Sequence, residues 1–208
     1  MKNQRLFPAS LNLAGKSCLV IGGGKIAEKR VKSLLSCGAS VRIVSPQVSR
    51  LLRRLAEREA VEWTRDTFKE GYLAGMQVVF GATDDRSANQ AVYRSAKQRH
   101  CLVNLADDPL HCDFHVPSVV RRGNLALAIS TDGKAPAFSA WLAKALDRFL
   151  NRRLGMTVAR YSRLRSGMKA QYPSMRARVK AWQEVIEKDP PPIFEDLTAK
   201  AAKNAKSF

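Results

Sequence analysis

The sequence has no apolar run approaching the ~20 residues that a membrane span needs, and its four cysteines include no CxxC pair. It also has half as many acidic as basic residues. The first absence predicts a protein with no membrane span. The opening stretch "MKNQRLFPASLNLAGKS" has no continuous apolar core of the kind that defines a signal peptide. We therefore expect a soluble, cytoplasmic protein.

The cysteine pattern argues against a structural metal centre. Cys18 lies in an apolar strand pattern and Cys37 at a helix end, which predicts buried free thiols. Four other side chains are of the types that bind metal ions and could together form a site: Cys101, His111, Cys112 and His115. Their spacing matches no standard zinc pattern, so we expect no resident metal.

The shortage of acidic residues gives the chain its most unusual property. Against 36 Lys and Arg stand 18 Asp and Glu, a formal net charge of +18 over 208 residues. Such an excess predicts an anionic partner. Nucleic acid, an acidic membrane surface and a small polycarboxylate all qualify, and charge alone does not choose among them.

The first half of the chain alternates short apolar runs with amphipathic segments. The runs "KSCLVIGGG", "SVRIVSP", "MQVVFGAT" and "CLVNLAD" are typical of buried strands, and "VEWTRDTF" of a short one. Helical patterns lie between them. This alternation predicts an α/β fold, a Rossmann-type parallel sheet with helices on both faces, over residues 1–113.

After residue 110 the pattern changes. The stretch "FHVPSVVRRGNLALAISTDG" predicts two strands joined at "RRGN", and "APAFSAWLAKALDRFLNRRL" predicts a helix. We assign residues 114–150 to a small α+β dimerisation segment because its strands and helix carry more apolar surface than a small appendage can bury. Residues 151–208 form a predicted basic, helical C-terminal region.

The stretch "VIGGGKIAEKR" fits the dinucleotide-binding pattern G-x-G-x-x-A through Gly22, Gly24 and Ala27. The first glycine permits a tight turn, the second lets the backbone approach a pyrophosphate, and the small third residue lets the helix pack on the strand. Lys25 and Ile26 open the helix whose N-terminal amides favour anions. The alternative is an ordinary strand-to-helix turn.

The strand "SVRIVSP" does not end in the acidic residue that usually hydrogen-bonds the adenosine ribose. Ser45 and Pro46 stand there, and we expect both to line the cofactor site. Without the carboxylate, the choice between NAD and NADP stays open. Arg42 lies on the strand and need not reach a 2′-phosphate.

Two further strands end in polar residues. In "GATDD" the candidates are Thr83 and Asp84, for which helix capping and cofactor contact are equally compatible with the pattern. In "NLADDP" the candidate is Asp107, and the alternative is a turn carboxylate before Pro109. The carboxyl ends of parallel strands meet at one edge of a sheet, where ligands bind in open α/β folds.

Four stretches in order along the chain together resemble one family: "GATDDRSANQAVY", "LVNLADDP", "FHVPSVVRRGNLALAISTDGKAPAFSAWLAKAL" and "ARYSRLRSGMKAQY". The chain resembles the dehydrogenase module of siroheme synthase, a family that includes stand-alone precorrin-2 dehydrogenases. The resemblance runs from about Phe7 to about Lys188. It implies oxidation of precorrin-2 to sirohydrochlorin with NAD in the siroheme branch of porphyrin biosynthesis, a homodimer, and, in some members, insertion of ferrous iron as a substrate.

The resemblance also implies residue roles. The family's acidic residue falls on Asp107, our candidate catalytic group, and its hydroxyl-bearing turn falls on Ser130 and Thr131, candidates for substrate binding. Asp108, Asp132 and Lys134 depart from the commoner family residues. The substrate would be a tetrapyrrole with eight carboxylates, for which Arg148 and Arg152 are candidate partners among the C-terminal arginines. The alternative function is a non-enzymatic dinucleotide-sensing module whose basic helices bind nucleic acid; for the enzyme we expect neither a nucleic-acid nor a membrane partner.

Overall fold

A computed structural model describes residues 5–148, 150 and 152–188, with the side chain of Arg152 excepted. The chain divides after His115 into two compact units. The further boundary near residue 150 stays a prediction. In the described ranges, no helix is long and apolar enough to cross a membrane.

The first unit contains a parallel five-stranded sheet in the order β3-β2-β1-β4-β5. Its strands are β1 (Ser17–Ile21), β2 (Ser40–Val44), β3 (Glu62–Thr64), β4 (Val78–Gly81) and β5 (Leu102–Leu105). Its helices are α1 (Lys25–Ser36), α2 (Arg50–Glu57) and α3 (Arg86–Gln98), with 3-10 turns at Glu70–Leu73 and Pro109–His111. The predicted α/β, Rossmann-type sheet is confirmed.

Strand β1 shows why these residues form a two-sided sheet. Successive side chains of a strand point to opposite faces. Val20 packs in one cluster with Val31 of α1, whereas Leu19 packs in a second cluster with Val92 of α3. All four side chains are fully buried. Each such burial stabilises the fold by about 1.5–3 kcal/mol, so the apolar run is explained by helices on both faces.

The helices of this unit begin differently. The Ser49 hydroxyl accepts the amide of Leu52 at 3.3 Å and caps the N-terminus of α2. By contrast, no side chain caps α1, whose first residue follows Gly24. Because an uncapped N-terminus leaves backbone donors unsatisfied, α1 is the helix of this unit whose N-terminus most favours an anion.

Asp113 folds back on the edge strand β5. Its amide donates to the Val103 carbonyl oxygen at 2.8 Å, and its Oδ2 accepts the Val103 amide at 3.0 Å. Its Oδ1 lies 2.6 Å from Lys97 Nζ on α3. The outward-facing backbone groups of Val103 are therefore satisfied by a single residue, as in a sheet ladder.

The second unit begins with a hairpin. Strand β6 (Ser118–Arg122) pairs antiparallel with β7 (Leu125–Ile129), and the turn at Gly123 confirms the predicted position. Three helices follow: α4 (Pro136–Asp147), α5 (Arg152–Gln171) and α6 (Met175–Lys188). Helix α4 packs on both strands of the hairpin.

The single helix expected over "APAFSAWLAKALDRFLNRRL" is wrong, because α4 ends at Asp147 and α5 begins at Arg152. The Arg122 side chain supplies the physical reason. Its Nη2 donates to the Asp147 carbonyl oxygen at 2.6 Å and its Nε to that of Leu150. These carbonyls thus find donors outside a continuing helix, which lets the chain turn.

Candidate functional site

The turn after β1 is built around Gly22. Its φ of +115° is one that side-chain-bearing residues rarely adopt, and its amide donates to the Val44 carbonyl oxygen at 3.0 Å. A Cβ at this position would lie 2.3 Å from the Ala82 carbonyl oxygen. The first glycine of the motif is therefore required by the close approach of the ends of β2 and β4.

The start of α1 suits a pyrophosphate. A Cβ added to Gly24 would meet nothing within 4 Å, so open space lies beside the uncapped first turn. Lys25 and Ile26 are exposed there, whereas Ala27 is fully buried against the sheet. Free amides with open space beside them fit the diphosphate of NAD, and the small Ala27 side chain fits the packing role that the motif assigns to its third position.

The dinucleotide-binding motif assigns no role to Gly23, but the structure does. A Cβ there would lie 2.0 Å from the Gln47 carbonyl oxygen, and the Ser49 amide donates to the Gly23 carbonyl oxygen at 2.9 Å. The loop after β2 is thus packed against the glycine turn. The run of three consecutive glycines was the available signal, although the motif uses only the outer two.

At the end of β2, the expected cofactor contacts Ser45 and Pro46 both lie in this loop. The Ser45 hydroxyl donates to the Gln47 carbonyl oxygen at 2.6 Å, and the Pro46 carbonyl oxygen accepts Arg65 Nε at 3.3 Å. Arg42 forms an ion pair with Glu62 across β2 and β3 at 2.8 Å. Its guanidinium is therefore engaged by Glu62 on the sheet.

At the end of β4, the capping role belongs to Asp85 and not to Thr83 or Asp84. The Asp85 carboxylate accepts the amides of Ser87 and Ala88 at 2.8 and 3.1 Å, which begins α3. Thr83 Oγ1 accepts the Asp85 amide at 3.2 Å. Asp84 is exposed, and no other described residue bonds its carboxylate. The helix-capping alternative for Asp84 is wrong, which leaves cofactor contact as the prediction for it.

At the end of β5, two neighbouring carboxylates have different surroundings. Asp107 Oδ1 accepts a hydrogen bond from Asn89 Nδ2 of α3 at 3.0 Å. The same nitrogen donates to the Thr83 carbonyl oxygen at 3.0 Å. Asp108 instead contacts His111 Nδ1 at 2.7 Å within its own turn. The turn-carboxylate alternative therefore describes Asp108, and Asp107 is held by another element of the fold.

Asn89 is the residue that sequence reasoning missed at this edge. It lies on the buried face of α3 with Val92 and Ala96, at helical spacing. An amide on a core-facing position was the available signal. Through it, the structure brings together the strand end that carries Thr83 and the strand end that carries Asp107.

The hydroxyl-bearing turn lies in the second unit, before α4. The Ser130 Oγ accepts the Asp132 amide at 3.1 Å, and the Thr131 Oγ1 accepts the Ala135 amide at 3.1 Å. Asp132 has a φ of +52°, as short polar residues in tight turns can. Both predicted hydroxyls thus organise this turn, and substrate binding by Ser130 and Thr131 stays a prediction.

An open cleft of about 870 Å³ lies in the second unit and is lined in part by Arg121, Arg122 and Arg148. Arg122 is engaged with Asp147 at 2.9 Å. Among the described residues, Arg121 and Arg148 have no ion-pair partner. Arg148 is thus available to an anion. Arg152 begins α5, but its side chain lies outside the described part of the structure.

All four cysteines are free thiols. Burial, with a smaller contribution from Cys37, raises the pKa of Cys18 to about 11. Burial also raises the pKa of Cys112, whose Sγ accepts the Leu105 amide at 3.1 Å. Cys37 is half-buried, less than the sequence pattern predicted. In the ranges that the structure describes, no three His, Cys, Asp or Glu side chains are grouped to hold a metal ion.

Comparison with known proteins extends over nearly the whole chain. This chain is 36% identical over 183 residues to siroheme synthase 3 of Aeromonas hydrophila, and the aligned region covers 88% of this chain and 39% of that protein. It is 32% identical over 193 residues to the siroheme synthase of Photobacterium profundum, covering 93% and 40%. The chain therefore spans about two fifths of the length of these relatives.

The solved structure of SirC, a precorrin-2 dehydrogenase, is similar over 93% of this chain and 98% of its own, with a TM-score of 0.72 and 27% identity. A family model described as "Putative NAD(P)-binding" matches residues 9–118. That range contains the glycine turn, the open N-terminus of α1 and all three polar strand ends. The chain belongs to this NAD(P)-binding family.

Proposed function

We propose that this protein oxidises precorrin-2 to sirohydrochlorin with NAD. The observation that carries the proposal is the position of the Asp107 carboxylate at the same edge of the sheet as the open, uncapped N-terminus of α1. The similarity to SirC over 98% of that chain supports the same substrate. So does the similarity to siroheme synthases, although this chain spans only part of their length.

The reaction removes a hydride and a proton from the macrocycle. NAD, when bound, would supply the hydride acceptor. A base must take the proton, and a carboxylate within hydrogen-bond reach is suited to that step. Asp107 is the residue that we assign to it, because its Oδ1 is fixed by Asn89 while the residue as a whole remains exposed to a ligand.

The remaining cofactor residues bind and orient. The first turn of α1, from Lys25 and Ile26 to the buried Ala27, would hold the diphosphate. The Thr83–Asp84 loop at the end of β4 lies between that turn and Asp107 in the strand order, because β4 separates β1 from β5. We therefore place the reacting end of the cofactor beside this loop and the adenosine end beside Ser45 and Pro46.

The positive charge of the chain fits an anionic substrate. Arg148 and Arg121 line a cleft in the second unit without ion-pair partners among the described residues. Guanidinium groups bind carboxylates with two parallel hydrogen bonds. We propose that such arginines, with Arg152 and the turn at Ser130 and Thr131, bind substrate carboxylates.

The apolar surface of the second unit supports a homodimer. The large side chains of this unit that remain exposed include Val119, Leu127, Phe138, Trp141 and Met156. Two-stranded sheets are marginal by themselves, and exposed apolar patches of this kind usually mark an interface. The hairpin and α4 are the surface that we assign to a second copy of the chain.

The alternative, a dinucleotide-sensing module that binds nucleic acid, is not favoured. It accounts for the glycine turn and the charge. It gives no reason for the similarity to SirC, which extends across the hairpin and the basic helices as well. The cytoplasm stays the predicted compartment.

The test is incubation of the purified protein with precorrin-2 and NAD, followed by absorbance spectra of the tetrapyrrole and of NADH. Formation of both products in equal amounts is the expected result, and no product without NAD. A parallel reaction with ferrous iron tests the metal-insertion step, with iron as a substrate. An unchanged precorrin-2 spectrum in the presence of NAD would overturn the proposal.

A further inference from the structure

Asn89 is an unusual residue for the place it occupies. It exposes only 3% of its surface, on the core-facing side of α3 beside Val92 and Ala96. Asparagine is a poor residue for a helix interior, because its side chain competes for backbone hydrogen bonds. A buried amide is also costly when it is incompletely bonded. The fold alone gives no reason to keep this side chain here.

The hydrogen bonds of Asn89 show what the amide does. Its Nδ2 donates both to the Thr83 carbonyl oxygen and to Asp107 Oδ1, each at 3.0 Å. A carbonyl oxygen can only accept, so the orientation of the amide is fixed by chemistry. Its Oδ1 is buried and finds no donor among the residues that the structure describes. Asn89 Nδ2 therefore bonds two acceptors at the site, while Asn89 Oδ1 has no donor among the described residues.

The packing around Asn89 is arranged to admit it. A Cβ on Gly81, the last residue of β4, would lie 2.7 Å from Asn89 Oδ1 and 2.6 Å from Leu105 Cδ2. Glycine weakens a strand, because it has no side chain to pack against its neighbours. Here it leaves the space that the amide fills. Two residues, each unfavourable for its own element, thus fit each other at the carboxyl edge of the sheet.

We propose that Asn89 is a positioning residue for Asp107. It fixes the carboxylate at the end of β5 relative to the Thr83 loop at the end of β4, and so sets the distance between the proton acceptor and the reacting end of the cofactor. This inference rests on the proposed dehydrogenation. Misplacement of a reacting group by about 1 Å can lower a rate by about 10²-fold.

The test compares Asn89→Ala and the isosteric Asn89→Asp, which replaces the donor by a second carboxylate. We expect kcat to fall roughly 10- to 100-fold in both. KM and Kd for NAD should change less than kcat does, because the α1 turn proposed to hold the diphosphate is untouched and the Thr83 loop loses only one hydrogen bond. In an Asp107→Ala background, Asn89→Ala should cost less than about a further twofold, since a residue that acts through Asp107 has nothing left to position.

Ser95→Ala is the matched control. Ser95 is equally buried on the same face of α3, and its Oγ donates to a carboxylate oxygen of Glu70 at 3.1 Å, away from Asp107. We expect its kcat to stay within about twofold of the parent. A parent-like kcat in Asn89→Ala would overturn the inference. So would an equal loss in Ser95→Ala, or losses that multiply in the Asp107→Ala background.

A contact measurement separates this inference from the proposed function. The side-chain amide NMR signals of Asn89, assigned by their loss in Asn89→Ala, should shift in Asp107→Asn and stay in place in Ser95→Ala. If the parent does not oxidise precorrin-2 but these signals shift, the dehydrogenation fails and the positioning contact stands for whatever reaction Asp107 serves. If the signals do not shift, the positioning contact itself is refuted.

Discussion

Asp107 and Asp108 are adjacent in the chain but bonded to different parts of the fold. Asp107 Oδ1 accepts a hydrogen bond from Asn89 Nδ2 of α3 at 3.0 Å. Asp108 Oδ2 lies 2.7 Å from His111 Nδ1 in the following 3-10 turn. Two carboxylates with the same chemistry are thus given different positions. This difference predicts that Asp107, and not Asp108, takes the proton in the proposed reaction.

Asp107→Asn should cut dehydrogenation by about 10²–10⁴-fold, the range typical of positioned proton transfer. The change removes the charge and the basic oxygen but keeps the shape, so NAD binding should persist. Asp108→Asn should keep most of the rate, because its carboxylate serves the turn. The measurement is NADH formation at saturating precorrin-2. A parent-like rate in Asp107→Asn would assign the proton transfer to water or to another group.

Gly24→Val should weaken NAD binding by at least about tenfold while leaving the fold intact. A Cβ at Gly24 meets open space, and valine readily adopts its extended backbone, with φ −86° and ψ −165°. The added side chain would occupy the space of the diphosphate. Calorimetry with NAD measures the loss, and thermal unfolding checks the fold. Equal affinities would remove the cofactor from this turn.

Gly22→Val is the contrasting change in the same turn. Here a Cβ would approach the Ala82 carbonyl oxygen to 2.3 Å on a backbone with positive φ. We therefore expect both lower NAD affinity and a lower Tm. Gly71→Ala is the control, because a Cβ on Gly71 would meet nothing within 4 Å and Gly71 lies far along the chain from the glycine turn. An unchanged Tm in Gly22→Val would contradict the packing that we describe.

Substrate capture should weaken with salt. Screening shortens the reach of surface charge to ~8 Å at physiological ionic strength. If unpaired arginines such as Arg148 attract an anionic substrate, the KM for precorrin-2 rises with added salt and kcat changes little. Steady-state kinetics across a series of salt concentrations measure this. A flat KM would mean that these arginines are only solvated side chains.

The Cys18 thiol should make stability fall at alkaline pH. Its pKa is raised to about 11 in the folded chain, chiefly by burial, from an ordinary value of 9.0. The unfolded chain therefore loses this proton first. The contribution is fully present below pH 9 and is lost as pH rises toward 11. Denaturant titrations should show a shallower decline of the unfolding free energy over that range in Cys18→Ala. Parallel curves for parent and variant would refute it.

Trp141→Ser should weaken the proposed homodimer. Trp141 exposes 63% of its surface on α4 and stacks on Phe138 with ring centroids 6.0 Å apart. Light scattering at micromolar concentration should show a dimer in the parent and a larger monomer fraction in the variant. Met175→Ser is the control, since Met175 is at least as exposed as Trp141 but lies on α6. A monomeric parent would refute the dimer.

Local sequence patterns predicted the first unit well because its central strands, β1 and β4, are buried on both faces. The alternation of Leu19 and Val20 between two clusters requires a helix layer on each side of the sheet, so an apolar run flanked by helices predicts this fold. The glycine turn could be predicted for the same reason, since Gly22 and Ala27 serve backbone packing that the motif encodes.

The contacts that organise the site could not be predicted, because they join residues far apart in the chain. Asn89 and Asp107 are 18 residues apart, and nothing in either local pattern indicates that they meet. The end of α4 depended likewise on Arg122, which reaches the Asp147 carbonyl from a separate hairpin. In each case a side chain from another element outweighs local helix propensity or turn chemistry.

Asp113 has a consequence for how copies of this chain can associate. Exposed edge strands invite pairing with a strand of another molecule, the first step of sheet-mediated aggregation. At Val103 both backbone groups that such a strand would need are already bonded to Asp113, which Lys97 holds in place. Self-association by sheet extension at this point would first have to displace an ion-paired side chain, which disfavours polymerisation of the chain through the β5 edge of its sheet.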